Sequence, residues 1–372
     1  MAERVVVAMS GGVDSSVAAA LLCAQGYEVV GATLHLWDYP DDGSVKSRCC
    51  APEDIHDARR VSDKLGIAHF AFDRRELFAQ TVVQPFVDAY LRGETPSPCV
   101  SCNRGVKVKE LLELADKLGA QRVATGHYAR LVQGTAGVEL HRAKDLNKDQ
   151  SYFLHMLGQP TLQRLLFPLG ELDKAAVRAE AVRLDLPGAQ KGESQELCFV
   201  PSGRYDSFVA SRAGDRVRPG PILDEQGQIV GEHRGIHTVT LGQRRNLGVA
   251  VGQRAYVTAI DSESGAVRLG SRESLLASGA VLKDLALAGG VMLPFDCEVA
   301  VRYRGRTVPA RVEQIEHEYV VRFQEPVHAV VPGQVAVFYS GDRVLGGGTI
   351  DRALRAAAAK SALASETAGA SA

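Results

Sequence analysis

Residues 10–16 read Ser-Gly-Gly-Val-Asp-Ser-Ser, between an apolar run, Val5 to Met9, and a helix-like stretch that begins near Val17. This strand–loop–helix unit constrains the fold more than any other segment. Gly11 and Gly12 let the backbone turn tightly and approach an anion, the hydroxyls of Ser10, Ser15 and Ser16 can donate hydrogen bonds, and the following helix presents unpaired N–H groups. The pattern predicts a phosphate cradle at the carboxyl end of a first strand. The Gly-Lys-Ser/Thr triplet of ordinary P-loops is missing.

Over the first 200 residues, short apolar runs alternate with amphipathic segments: Val5 to Met9, Ser15 to Gln25, Glu28 to Leu34, Ile55 to Leu65 and Ala68 to Phe72. Such alternation implies βαβ units and a parallel sheet, whose ligands sit at the carboxyl ends of the strands. A further helix is expected from about Val106 to Leu118, and the strand Arg122 to Thr125 then delivers Gly126-His127-Tyr128 to the same sheet edge. Beyond Phe199 the texture changes. Pro201-Ser202-Gly203 reads as a linker, and from about Ser271 the runs Cys297 to Tyr303, Thr307 to Val312, Tyr319 to Phe323 and Gln334 to Tyr339 suggest a small β-barrel or sandwich. The Ala/Ser-rich tail from Arg352 to Ala372 is low in complexity.

At 372 residues the chain predicts two or three domains. No apolar run approaches the roughly 20 residues of a membrane span, and Met-Ala-Glu-Arg at the start lacks a signal-peptide pattern, so no membrane partner and a cytoplasmic location are expected. The net charge of −1 announces no global basic field. Locally, Gly203 to Arg254 holds eight arginines (204, 212, 216, 218, 234, 244, 245, 254) against five acids, a composition that suits phosphate contacts as well as a solvated surface.

Seven cysteines without a secretory pattern read as thiols, metal ligands or catalysts rather than as a disulfide framework. Cys99 and Cys102 form Cys-x-x-Cys in a proline-stiffened loop expected just before the Val106 helix, whose positive end would favour thiolates. Alone, that spacing is shared by zinc half-sites, redox pairs and iron–sulfur ligands. Cys198, between Leu197 and Phe199, reads equally as a buried small hydrophobe. Cys49-Cys50 is expected to be structural or redox-sensitive, and Cys23 and Cys297 attract no catalytic role.

The Ser10–Ser16 string resembles the PP-loop of the N-type ATP pyrophosphatases, which cleave ATP between the α- and β-phosphates to adenylate a substrate oxygen. Further ordered blocks are Thr-Gly-His-Tyr (125–128), Asn-Lys-Asp-Gln-Ser-Tyr-Phe (147–153), Leu-Gly-Gln-Arg (241–244), Arg-Tyr-Arg (302–304), Pro-Gly-Gln-Val-Ala-Val-Phe-Tyr (332–339) and Gly-Gly-Gly (346–348). With them the chain resembles, over nearly its full length, the tRNA-specific 2-thiouridylase family known as MnmA or TrmU. That resemblance implies an enzyme that installs sulfur at C2 of the wobble uridine, U34, of tRNA. ATP adenylates O2, releasing pyrophosphate, and a sulfur nucleophile displaces AMP.

The resemblance assigns roles by position. Ala8, Met9, Ser10, Gly11, Gly12, Val13, Asp14, Ser15, Leu34 and Gly126 would bind ATP, Asp14 also orienting the phosphates or Mg²⁺. Ser97, Pro98 and Cys99 would face the target base. His127, Lys148, Asp149, Gln150, Arg302, Tyr303 and Gln334 would contact tRNA, whose target base must be unstacked to be reached. Cys102 stands at the family's nucleophile and Cys198 at the cysteine that carries a persulfide; the expected sulfur source is a sulfur donor protein or, for the cluster route, sulfide. One position departs: better-known members have Asp where this chain has Cys99. A Cys-x-x-Cys plus one distant Cys resembles tRNA thiolases that hold a [4Fe–4S] cluster through three cysteines with one iron open. The favoured expectation is therefore cluster ligation by Cys99, Cys102 and Cys198, ahead of the persulfide route.

The expected architecture is α/β plus β. It comprises a Rossmann-like PP-loop domain of the adenine nucleotide α-hydrolase-like type (1–202), a small central tRNA-binding domain (203–271), a C-terminal β-barrel (272–352) and a low-complexity tail (353–372). Competing readings are a PP-loop amidating ligase, which has no use for the three cysteines, and a non-catalytic RNA-binding or iron–sulfur protein.

Overall fold

The computed structural model describes residues 2–38, 52–192, 197–200, 204–249, 252 and 254–355. The chain opens with β1 (Arg4–Ala8), α1 (Val13–Ala24), β2 (Glu28–His35), α2 (Pro52–Leu65) and β3 (Ala68–Asp73), the alternation that the apolar runs predict. Two helical runs follow. The first joins α3 (Arg75–Phe78) to α4 (Gln84–Leu91) through a π-helical turn at Ala79–Val83. The second joins α5 (Pro98–Cys102) to α6 (Val108–Lys117) through another at Asn103–Lys107. Then come β4 (Arg122–Ala124), the hairpin β5 (Ala129–Gly134) and β6 (Gly137–Arg142), α7 (Gln159–Leu162), β7 (Leu165–Leu166) and α8 (Lys174–Arg183).

Five strands pair in parallel in the order β3-β2-β1-β4-β7. β1 is central, and Val5, Val6 and Val7 are wholly buried. Val5 and Val7 pack with Val17 and Val177 on one face of the sheet, and Val6 packs with Phe86 and Leu111 on the other. A strand covered on both faces needs an unbroken apolar run rather than an alternating one. The chain winds from β1 outward to β3 and returns on the other side at β4. The crevice beyond the carboxyl ends of β1 and β4 is thus the topological switch point, where open α/β sheets bind ligands.

The second helical run differs from the sequence expectation. Helical structure begins at Pro98 rather than near Val106, so Cys99 and Cys102 lie in its first turns and not in a loop ahead of it. Proline fits that position because its ring presets the helical φ and the missing N–H would have had no partner there. The apolar period shows only from Val108 on, which hid the start.

α9 (Tyr205–Ala213) leads into the central unit, whose strands β8 (Gly220–Leu223), β9 (Ile229–His233), β10 (Tyr256–Ile260) and β11 (Val267–Gly270) form a sheet in the order β10-β11-β8-β9. Its small core is built on Ile222, Val257, Val267 and Leu269. The third unit contains β12 (Leu276–Leu287), β13 (Phe295–Ala300), β14 (Val308–Ile315), β15 (Glu318–His328), β16 (Val335–Ser340) and β17 (Arg343–Arg355). They run β12-β15-β14-β13-β16-β17, and antiparallel pairing of β12 with β17 closes the barrel and removes its edges. β17 continues through Arg355, past the expected start of the tail at 353. Sequence reading did not foresee that β17 also pairs with β6, which adds the first domain's hairpin to the barrel sheet. Among the described residues no helix is long and apolar enough to cross a membrane. The linker Pro201-Ser202-Gly203, and with it the boundary at 202, lies outside the described residues, as do Cys49-Cys50 and the tail beyond 355.

His155 marks the junction of first domain and barrel. It is buried, its Nδ1 lies 2.8 Å from the Tyr152 carbonyl, and a Cβ on Gly347 of β17 would come within 2.5 Å of the ring. Burial, reinforced by Arg104, pushes the imidazole down to about 4. Because the folded value lies below the ordinary histidine range, the unfolded chain takes up the proton first, and stability declines as pH falls from about 6.5 toward 4. His155→Gln should flatten that decline, as read from urea midpoints across this range; an unchanged pH slope would contradict the assignment.

Candidate active site

The loop after β1 is shaped by one strained residue. Gly11 has φ +71°, and a Cβ there would fall on the backbone of Asp54 in α2. Only glycine meets both conditions. Ser15 Oγ donates to the Gly12 carbonyl at 3.0 Å and accepts from the Ser10 N–H at 3.1 Å, while Ser16 Oγ donates to the same carbonyl at 2.9 Å. These hydroxyls brace the loop, whereas α1 begins at Val13 behind Gly12, which provides no side-chain cap. An uncapped N-terminus at a sheet's switch point is an anion site.

A cavity of about 850 Å³ opens there. From the nucleotide set, Ala8, Met9, Ser10, Gly12, Val13, Asp14, Ser15, Leu34 and Gly126 line it, while Gly11 is buried against Asp54. From the base-facing and RNA sets, Ser97, Pro98, Cys99, His127, Lys148, Gln150, Tyr303 and Gln334 line the same cavity. Residues from β1, α5 and the barrel therefore meet in one space. Asp149 does not line it. Its buried carboxylate accepts from the N–H groups of Ala143 (3.0 Å) and Ser151 (3.1 Å) and from the Ser151 hydroxyl (2.8 Å), so it organises its own loop. Exposed Arg302 is also off the wall, whereas Arg304 lines it, lying over the Tyr303 ring at 5.2 Å and donating to the Asn147 carbonyl.

Gly126 sets how closely the two strand-end loops approach. A Cβ there would stand 2.8 Å from Ser15 N and 2.9 Å from Asp14 C. The next residue, His127, has Nδ1 2.6 Å from Thr125 Oγ1 and meets Phe167 edge to face. Burial, reinforced by Lys107, pushes its imidazole down to about 3. It is neutral at physiological pH and offers a ring and a hydrogen bond rather than charge.

Sequence reading missed Tyr128 and Lys174 as partners of Asp14. The Asp14 Oδ1 accepts from Tyr128 OH at 2.7 Å and from Lys174 Nζ at 2.6 Å. Tyr128 stood within a recognised block, but Lys174 is 160 positions from Asp14 and carries no local signal. Lys191, also on the wall, ties itself to Asp54 and Asp57 of α2.

The three thiols occupy different settings. Cys99 is half-buried on the cavity wall, Cys102 is 6 % exposed within the main hydrophobic core, and Cys198 packs against that core. Phe199 anchors the segment that carries Cys198. Its ring lies 5.1 Å from Phe86, 5.5 Å from Phe208 and 5.6 Å from Phe78. Among the described residues no group of three or more His, Cys, Asp or Glu side chains is arranged to hold a metal ion. The three thiols thus differ in depth, one facing the cavity and two packed on the core. Cys23 and Cys297 are unsuited to catalysis, since burial raises both thiols and, with Asp296 and Glu298 beside it, takes Cys297 up to about 12. The barrel grips the approach to α5: Thr95 N–H donates to the Pro332 carbonyl at 2.8 Å, and Gln334 Nε2 donates to the Thr95 carbonyl at 3.0 Å.

Three family models match the chain. Residues 3–202 match the model described as tRNA methyl transferase HUP domain, 206–271 the tRNA methyl transferase PRC-barrel domain, and 283–350 the aminomethyltransferase beta-barrel domain. A tRNA-specific 2-thiouridylase MnmA of Sorangium cellulosum is 60% identical over 362 residues, covering 96% of this chain and 94% of that protein. Proteins of the same name from Chloroflexus aggregans (47% identical; 94% of this chain, 98% of that protein) and Geobacter metallireducens (46%; 95% and 98%) are similar throughout.

Replacing Gly126 with Ala should push the β4 loop off α1. Adenine-nucleotide affinity is expected to fall by about 10-fold or more, the scale of one lost charge-assisted hydrogen bond. The thermal midpoint should also fall, because the clash is with backbone rather than with a movable side chain. Calorimetric titration decides it, and unaltered affinity would show that the close approach is unimportant.

Proposed function

Since the chain belongs to the tRNA-specific 2-thiouridylase family, we propose that it is an ATP-dependent sulfurtransferase acting on C2 of the wobble uridine, U34, of tRNA in the cytoplasm. One observation carries the reading: a single cavity joins the uncapped N-terminus of α1 to Cys99 and to Tyr303 and Gln334 of the barrel unit. Phosphate, base and RNA contacts can then be made at once. The arginines named in the 203–254 segment are all exposed, as contacts to an RNA backbone require.

In the first step the uridine O2 attacks the α-phosphorus of ATP, the α–β P–O bond breaks, and pyrophosphate leaves with its electron pair. The N–H groups of α1 stabilise the charge that develops. Mg²⁺, when bound, neutralises phosphate charge, and Asp14 fits as its protein carboxylate, because one or two suffice when phosphates complete the shell. The second step uses the outer sulfur of a persulfide on a donor protein: the Cys198 thiolate attacks it, the donor's thiolate leaves, and Cys198 carries the persulfide. The terminal sulfur attacks C2 and AMP departs with O2, leaving the base joined to Cys198 through a disulfide. The Cys102 thiolate then attacks the Cys198 sulfur, and 2-thiouridine leaves. An external thiol reductant supplies two electrons to reopen the resulting Cys102–Cys198 bond. Support for this route is that Cys102 and Cys198 both belong to or pack on the hydrophobic cluster that holds Phe199. Cys99 faces the cavity and receives no step.

Cys102→Ser is expected to lower 2-thiouridine formation by about 100-fold or more while tRNA-dependent pyrophosphate release continues, the pattern of a lost nucleophile. Mass spectrometry of the tRNA nucleosides reads the first and a coupled phosphate assay the second. Undiminished thiolation would overturn the assignment.

A further inference from the structure

The loop Ser10–Ser16 contains no cation, although it faces the place where a polyphosphate would sit. A helix N-terminus contributes only roughly half a unit charge. A side chain from elsewhere in the chain can add positive charge there beside that of Mg²⁺. Lys174 is the first residue of α8, and its side chain is only 13% exposed. Its Nζ lies 2.6 Å from Asp14 Oδ1, in the first turn of α1, and 5.8 Å from the centre of the Tyr128 ring. Its backbone is held as well. Asp173 caps α8 through the Ala176 N–H at 2.7 Å, and the Lys174 N–H donates to Asp145 at 3.1 Å. α8 packs on α1 through Val177 and Ala181, so the two helix starts keep a common position. Lys191, by contrast, is a strut to α2 behind Gly11.

We propose that Lys174 is the polyphosphate-binding cation of this site, supplying from α8 the charge that an ordinary P-loop carries within the loop itself. The inference rests on the ATP reading above. Asp14 and Tyr128 hold the ammonium at the mouth of α1, ready to be shared with the phosphate oxygens that the uncapped N–H groups attract.

The test measures ATP and adenosine binding without Mg²⁺ for the full chain and for Lys174→Met, Lys174→Arg and the double variant Asp14→Asn/Lys174→Met. Lys174→Met should weaken ATP by about 10- to 100-fold, the range of a charge-assisted hydrogen bond, and leave adenosine unchanged. Lys174→Arg should recover most of the loss. The double variant should stay weak, because removing Asp14 does not restore a phosphate contact. Equal ATP affinity in Lys174→Met, equal loss for ATP and adenosine, or recovery to the original affinity in the double variant each overturns the proposal. A wild-type chain that binds neither ligand would instead sink the ATP reading itself.

Discussion

The site depends on how closely two backbones approach. β1 and β4 are parallel neighbours, and the loops that leave them meet where Gly126 lies against Ser15 and Asp14. The absence of one methyl group permits the N-terminus of α1, the His127 ring and the Asp14–Tyr128–Lys174 set to share one crevice. Gly11 does the same on the other side, letting α2 lie directly behind the loop. The geometry is held by packing and by internal hydrogen bonds of the seryl hydroxyls, so its anion-facing groups are set before any ligand arrives. Such preorganisation is the main electrostatic lever an enzyme has.

A second layer of order comes from the barrel. Pro332 and Gln334 hold Thr95, three residues ahead of Pro98, where the helix bearing Cys99 and Cys102 begins. Gln334 both lines the cavity and fastens this loop, so its amide has a structural duty beside any RNA contact. Arg142 of β6 places its guanidinium 3.6 Å from the centre of the Tyr339 ring of β16, joining the hairpin to the barrel. The aromatic cluster of Trp37, Phe86, Phe199 and Phe208 does equivalent work for Cys198 and α9.

The parts of this arrangement legible in the sequence are those whose cause is local. The apolar run at Val5–Val7, the glycine pair and the strand ending before Gly126 each announce themselves within a few residues. The late strands did so too, through their spacing. The parts that were not legible are pairings across the chain. Lys174 meets Asp14 only after the sheet has brought α8 beside α1, and β6 meets β17 only after the barrel has formed. Asp149 sits in a polar block that reads as surface, yet it is buried because its loop needs three donors satisfied. The cysteines show the same limit: spacing reports which cysteines exist, whereas depth separates Cys99 on the wall from Cys102 in the core.

The hairpin β5–β6 leaves the first domain to meet the barrel sheet where His141 pairs with Arg343 and the Arg142 N–H donates to the Asp342 carbonyl, so backbone pairing ties these units together. A force applied to the barrel by a bound RNA is therefore carried through β17 and β6 to the strand ends that frame the crevice. The molecule resembles a braced frame more than two jaws. A large substrate would be admitted by rearrangement of individual loops, and a chain cut after its second domain would lose the brace itself.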